Sequence, residues 1–267
     1  MSVPAGSFAS AAGVPVRPWY RSRKLDQWIC FWSVPFFYNL FGLVFVPLSS
    51  MMPPKSPSAS TQQIVGFFQG DHLLIACVIL TLSLGLAPVS NAVYLTQIKR
   101  MSVSPAFRVA FLGGTVMGAI VGMTFPLFCF GLGAFRPGYD PAVLVMLYDF
   151  GYLAFIGSLG CFCVTWAMFG LAIILDRNRI LPKWLGYYTV WQFMSELMAA
   201  PIWLTQSQPF GWNGVMTFWF AMLVYVPWQF IIYVWIYKAI KRQPEDELDN
   251  APSRTRVRQR DTAGAAP

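Results

Sequence analysis

Six apolar stretches, each long enough to cross a bilayer, are separated by short segments that hold nearly all of the charge. They run approximately from Trp28 to Pro47, Leu73 to Leu95, Val109 to Phe135, Ala142 to Leu175, Leu185 to Leu204 and Val215 to Tyr237. A helix of about 20 residues spans a hydrocarbon core roughly 30 Å thick. A transmembrane barrel would instead show alternation in segments of about ten residues. Charged residues make up 11% of the chain, against about 25% in an average soluble domain, too few for a polar shell. The expected fold is an all-α integral membrane protein, a bundle of six transmembrane helices.

Orientation follows from the loops. One side receives Arg17, Arg21, Arg23 and Lys24, then Lys99, Arg100 and Arg108, then Arg177, Arg179 and Lys183, then Lys238, Lys241 and Arg242; the other receives only Lys55 and Arg136. Basic residues stay on the cytoplasmic side, so the N- and C-termini are both expected there, in a multi-pass protein of the plasma membrane. These flanks account for most of the net charge of +8. No basic groove or motif points to nucleic acid, and no nucleic-acid partner is expected.

Residues 1–24 read as a flexible basic cytoplasmic arm, 25–242 as the six-helix transmembrane domain, and 243–267 as a disordered charged cytoplasmic tail. That tail carries an acidic block (Glu245, Asp246, Glu247, Asp249) and then a basic one, and it lacks the apolar residues to bury a core. The basic cluster near residue 20 is not followed by a cleavage-type site, so the first span is expected to be retained as a signal anchor. The loop from Met51 to Gln63 is proline-rich and expected to be irregular, and Ile64–Phe68 is expected at the outer interface. Asp140-Pro141 is a good helix start. The fourth stretch, about 51 Å long as one helix, would protrude outward and place Asp149 at the outer interface.

A carboxylate inside a span is costly unless neutralised, paired or facing water, and therefore reads as functional. Glu196 is that residue. Counting 1.5 Å per residue from the cytoplasmic ends puts Glu196 and Asn39 at about 17 Å, Thr165 at about 15 Å, Gln229 at about 14 Å and Asn91 at about 12 Å. Gln192 lies one turn from Glu196 on the same helix face. Pro35, Pro88, Pro201 and Pro227 fall in the same layer, and each removes a backbone hydrogen bond. Polar side chains beside helix breaks at one depth are the pattern of a midplane ligand site. The candidate ligand-binding set is Glu196, Gln192, Asn39, Asn91 and Gln229; the competing reading is that these amides and a protonated Glu196 are interhelical packing bonds.

Asp71, His72 and Asp149 form a second candidate group, an outer vestibule to which Tyr148 is adjacent. The simpler reading of Asp71 is an N-cap. Gly114, Gly118 and Gly122 make a small-residue stripe suited to close helix packing, within the chain or with a partner helix.

The remaining motifs mostly exclude. One histidine is too few for bis-His haem or His-rich di-iron sites. Zinc-protease, nucleophile-elbow, P-loop and dinucleotide motifs are absent, and no lysine lies deep in a span for a Schiff base. Cys30, Cys77, Cys129, Cys161 and Cys163 have no metal or disulfide spacing; no metal and no cofactor are expected. Two functions fit what remains, beside a purely structural role as a small subunit of a larger complex. In one, a transporter, receptor or accessory subunit handles a small lipophilic or cationic molecule at Glu196. In the other, a membrane-embedded enzyme acts by acid–base chemistry on a polyprenyl- or sterol-like lipid.

Overall fold

The computed structural model describes residues 24–244, without the side chains of Asp71 and residues 159–162. The arm before Lys24, the tail after Pro244 and the Cys161 side chain lie outside the described residues. The described residues form ten α-helices: α1 (Lys24–Leu43), α2 (Thr61–Phe68), α3 (Asp71–Leu84), α4 (Leu86–Arg100), α5 (Pro105–Met117), α6 (Phe125–Phe135), α7 (Pro141–Gly157), α8 (Leu159–Leu175), α9 (Lys183–Leu197) and α10 (Phe220–Arg242). No strand occurs among the described residues.

Among the described residues, four helical segments are long and apolar enough to cross a membrane: Lys24–Leu48, His72–Arg100, Pro105–Phe135 and Val215–Arg242. The outward-facing side chains match that length. Leu82, Val109, Leu223 and Phe230 are each at least 70% exposed, a surface stable only where lipid replaces water. The chain is a membrane protein of helical architecture.

Several expected long helices are interrupted. The stretch from Ala142 to Leu175 is not one protruding helix. It breaks at Ser158, whose ψ of 41° leaves the α region. The depth count that assigned Asp149 to the outer interface assumed an unbroken helix and loses its basis. The indole N–H of Trp203 donates to the free Gly157 carbonyl at 3.2 Å. The stretch from Leu185 to Leu204 also fails to form one helix. α9 stops at Leu197, and Pro201 sits in a 3₁₀ turn, Ala200–Trp203. Glu196 therefore stands at the end of α9 rather than in mid-helix.

Wider π turns occupy Val44–Leu48, Gly118–Thr124 and Val215–Trp219, and Gly85 separates α3 from α4. Gly85, Gly118, Ser158 and Met198 lie 13 to 17 residues from the helix ends Arg100, Pro105, Leu175 and Lys183. At 1.5 Å per residue the four interruptions fall roughly 20–26 Å from one end of the bundle.

These interruptions coincide with a division of the interior. One apolar core gathers Phe31, Val34, Val93, Phe111, Trp166, Leu185 and Trp228 with their neighbours. A second gathers Val44, Leu80, Leu127, Tyr152, Ile202 and Trp212 with theirs. Whereas α1 passes between them with Phe37 buried, four of the other segments that do so present small or polar side chains inward. Ser83 and Ser90 do so on the α3–α4 segment, Gly114, Gly118 and Gly122 on the α5–α6 segment, and Cys163 and Thr165 on α8. Gln192 and Ser195 do so on α9. The bundle has a polar waist.

The glycine stripe serves this waist. A Cβ on Gly114 would meet Thr165 Oγ1 at 2.6 Å and its backbone nitrogen at 2.9 Å, so α5 and α8 approach at that position. Gly114→Ala is expected to lower the thermal midpoint in detergent, by an amount equivalent to about 1–3 kcal/mol, because the backbone of α8 must give way. Gly113→Ala, which meets nothing within 4 Å, is expected to leave the midpoint unchanged.

The end of the bundle that carries the Arg100, Arg177 and Lys241 loops is tied together by one carboxylate. Asp176 is fully buried. Its Oδ1 accepts from the Ser102 N–H at 2.8 Å, the Ser102 hydroxyl at 3.1 Å and the Asn178 N–H at 2.9 Å. Its Oδ2 accepts from the Ile180 N–H at 2.8 Å. Arg100 extends the tie to α10 by donating to the Ala239 carbonyl at 3.1 Å. Nothing in the local sequence marks Asp176; its burial comes from the α4–α5 turn folding over the α8–α9 turn.

At the opposite end, Ser60 and Gln63 form a reciprocal capping box that starts α2. Ile64, Phe67 and Phe68 of α2 are buried in the second core, so this segment packs onto the bundle. Asp140 caps α7 through the Ala142 N–H, with Pro141 at the first helical position, as expected. The cap of α3 is Gly70, with Asp71 one residue inside the helix; the N-cap expectation for Asp71 is corrected accordingly.

Candidate functional site

Glu196 lies in the waist, partly buried, on the last turn of α9. Its Oε1 accepts from Gln192 Nε2 at 2.5 Å, the one-turn pairing that the spacing predicted. Its Oε2 lies 3.8 Å from the Cys163 sulfur, whose thiol points at it from α8. Gln192 is held in turn: it is fully buried, and its backbone carbonyl accepts from the Ser195 hydroxyl at 2.6 Å.

A tyrosine pair faces this carboxylate from α1 and α10. Tyr225 donates to the Tyr38 hydroxyl at 3.0 Å, and Glu196 is within electrostatic reach of both rings. Tyr94 of α4 is within the same reach of Tyr38 and Tyr225, and its hydroxyl accepts from Gln229 Nε2 at 3.3 Å. Trp228 closes this side, 5.7 Å from the Tyr225 ring, with its indole N–H on Thr189 at 3.0 Å. Five helices thus contribute to one polar group: α1, α4, α8, α9 and α10.

The group contains polar atoms with no partner. Gln192 Oε1, Gln229 Oε1 and Thr165 Oγ1 are buried without a hydrogen-bond partner. A buried acceptor without a partner costs about 1–3 kcal/mol, and native interiors carry few of them. Two orphaned amide oxygens and a carboxylate, lined by aromatic rings, suit a species that brings hydrogen-bond donors or positive charge.

Not every expected residue joins. Asn39 is exposed, and its amide donates to the Pro35 carbonyl of its own helix at 2.7 Å. Asn91 likewise donates to the Ala87 carbonyl at 2.9 Å. Both side chains satisfy local backbone beside a proline, and neither reaches Glu196. Gln229 reaches Tyr94 rather than the carboxylate. The sequence reading missed Cys163, Tyr38, Tyr225 and Tyr94. The apolar flanks of Cys163 hid it, and the tyrosines were indistinguishable from interfacial aromatics.

Of the outer group, the Asp71 side chain lies outside the described residues. His72 is exposed, and among the described residues no hydrogen bond or ion pair reaches it. Asp149 is half-buried and lines a cleft of about 320 Å³ with Leu153, Ile202, Trp203, Leu204, Thr205, Gln206 and Trp212. Trp235 borders an apolar groove on the lipid side with Trp184 and Phe230. Neither hollow is lined by Glu196.

No protein family is matched by this chain, and no characterised protein or solved structure is detectably similar to it.

Proposed function

We propose that this protein crosses the bilayer six times with both termini in the cytoplasm, and that it binds or translocates a small lipophilic or cationic molecule at Glu196. In this reading α7 with α8 forms one crossing, broken at Ser158, and α9 with the turn after it forms another. The positive-inside distribution of the loops supports the orientation, and placement in the plasma membrane remains part of the proposal. Cysteines introduced at Ser56 and Asn178 are expected to react with an impermeant maleimide from opposite sides of sealed vesicles. Labelling of both from one side contradicts the topology.

One observation carries the function: Glu196 shares a polar group of five helices with the orphaned oxygens of Gln192 and Gln229. A cation held there would gain the carboxylate as counter-charge, the amide oxygens as acceptors and the Tyr38, Tyr225 and Trp228 rings as a polarisable wall. Acid–base turnover of a lipid would need a second titrating group beside Glu196. Among the described residues its titratable neighbours are a thiol and tyrosines, which ordinarily exchange protons well above neutral pH, so we favour binding or translocation over an enzymatic role. The test is binding of the lipophilic cation tetraphenylphosphonium to the purified protein. Glu196→Gln is expected to weaken it at least tenfold, and equal affinity in the variant contradicts the proposal.

A further inference from the structure

We propose that the Asp149 cleft is a second binding site, for small organic cations, separate from the Glu196 group. Asp149 projects from α7 into a cleft of about 320 Å³ closed by the chain segment from Ile202 to Trp212. That volume falls in the lower range for small-molecule sites. The carboxylate has no hydrogen bond or ion pair among the described residues. Lys55, whose carbonyl holds Trp212, has its ammonium engaged elsewhere: Nζ donates to the Gln63 carbonyl at 3.0 Å.

Two indoles in the cleft are fixed in place. Trp203 N–H donates to the Gly157 carbonyl at 3.2 Å, and Trp212 N–H donates to the Lys55 carbonyl at 2.6 Å. Trp212 is further braced by Tyr152, its ring centroid 6.1 Å away and nearly parallel. Rings held by backbone contacts lose little freedom on binding, and indoles are the best aromatic partners for a cation. Thr205 and Gln206 supply polar groups at the rim. A charge in need of a partner, two fixed indoles and a polar rim select a cationic group with an apolar body over an anion or a bare metal ion. A metal ion would ask for several oxygen ligands, and here there is one carboxylate.

Choline and its neutral isostere 3,3-dimethylbutan-1-ol separate charge from shape. Wild-type protein in nanodiscs is expected to bind choline at least tenfold more tightly than the alcohol by calorimetry. Asp149→Asn is expected to erase that preference, and Asp140→Asn, at an exposed helix cap outside the cleft lining, to leave it intact. Three results would each overturn the proposal: no binding of choline at millimolar concentration, equal binding of the alcohol by the wild type, or a preference retained in Asp149→Asn. The wild-type comparison needs no variant to fold. Loss of the choline preference in Glu196→Gln but not in Asp149→Asn would assign the cation to the interior group and also overturn the cleft.

Discussion

Asp176→Ala is expected to destabilise the folded protein by about 4 kcal/mol or more. The substitution strands three backbone N–H groups and the Ser102 hydroxyl in a site where Asp176 itself is fully buried. Ser102 and Asn178 are exposed and Ile180 is half-buried, so the cost comes chiefly from losing four bonds to a charged acceptor, each worth about 1.5–3 kcal/mol. The tie joins the α4–α5 and α8–α9 turns, so its loss loosens the ends of four helices together. Asn at 176 keeps one acceptor oxygen and is expected to lose roughly half as much. Thermal unfolding in detergent measures the stability, and hydrogen exchange at the Ser102, Asn178 and Ile180 amides localises the effect. An unchanged midpoint in Asp176→Ala would show that these turns hold together without the carboxylate.

The second large effect concerns Glu196, where binding and packing predict different responses. Glu196→Gln keeps the shape and an oxygen to accept from Gln192, so stability is expected to change by less than about 1 kcal/mol. It removes the counter-charge. Truncating one member of a buried charge pair typically costs about 2–5 kcal/mol of binding, and at least a tenfold loss of affinity for a lipophilic cation is therefore expected. Glu196→Leu orphans the Gln192 amide as well, and is expected to add about 1–3 kcal/mol of destabilisation. If Glu196 were packing alone, the Gln and Leu variants would differ in stability while ligand affinity followed neither.

Much of the architecture is legible in the sequence because lipid imposes a simple rule. Backbone groups in hydrocarbon must bond internally, so apolar length identifies the helices directly. Local chemistry is legible too: the Asp140-Pro141 start of α7 and the one-turn pairing of Gln192 with Glu196 depend only on nearby residues. The breaks are harder. Gly157-Ser158 is a pair at which helices kink, yet it sits in an apolar run whose hydropathy never falls. Proline positions were a poor guide to side-chain pairing, since Asn39 and Asn91 turned out to bond their own helices. Cys163, Tyr38, Tyr225 and Tyr94 gain meaning only from neighbours on other helices, which no spacing along the chain encodes. Asp176 reads as an ordinary loop charge until Ser102, 74 positions away, is folded over it.

The central claim is that the Glu196 carboxyl takes part in binding and is more than a packing bond. Infrared difference spectra, recorded on the protein with and without tetraphenylphosphonium, report on that carboxyl directly. The account predicts that carboxyl and carboxylate bands change when the cation binds, and that these changes vanish in Glu196→Gln. Identical difference spectra from the wild type and Glu196→Gln would contradict it.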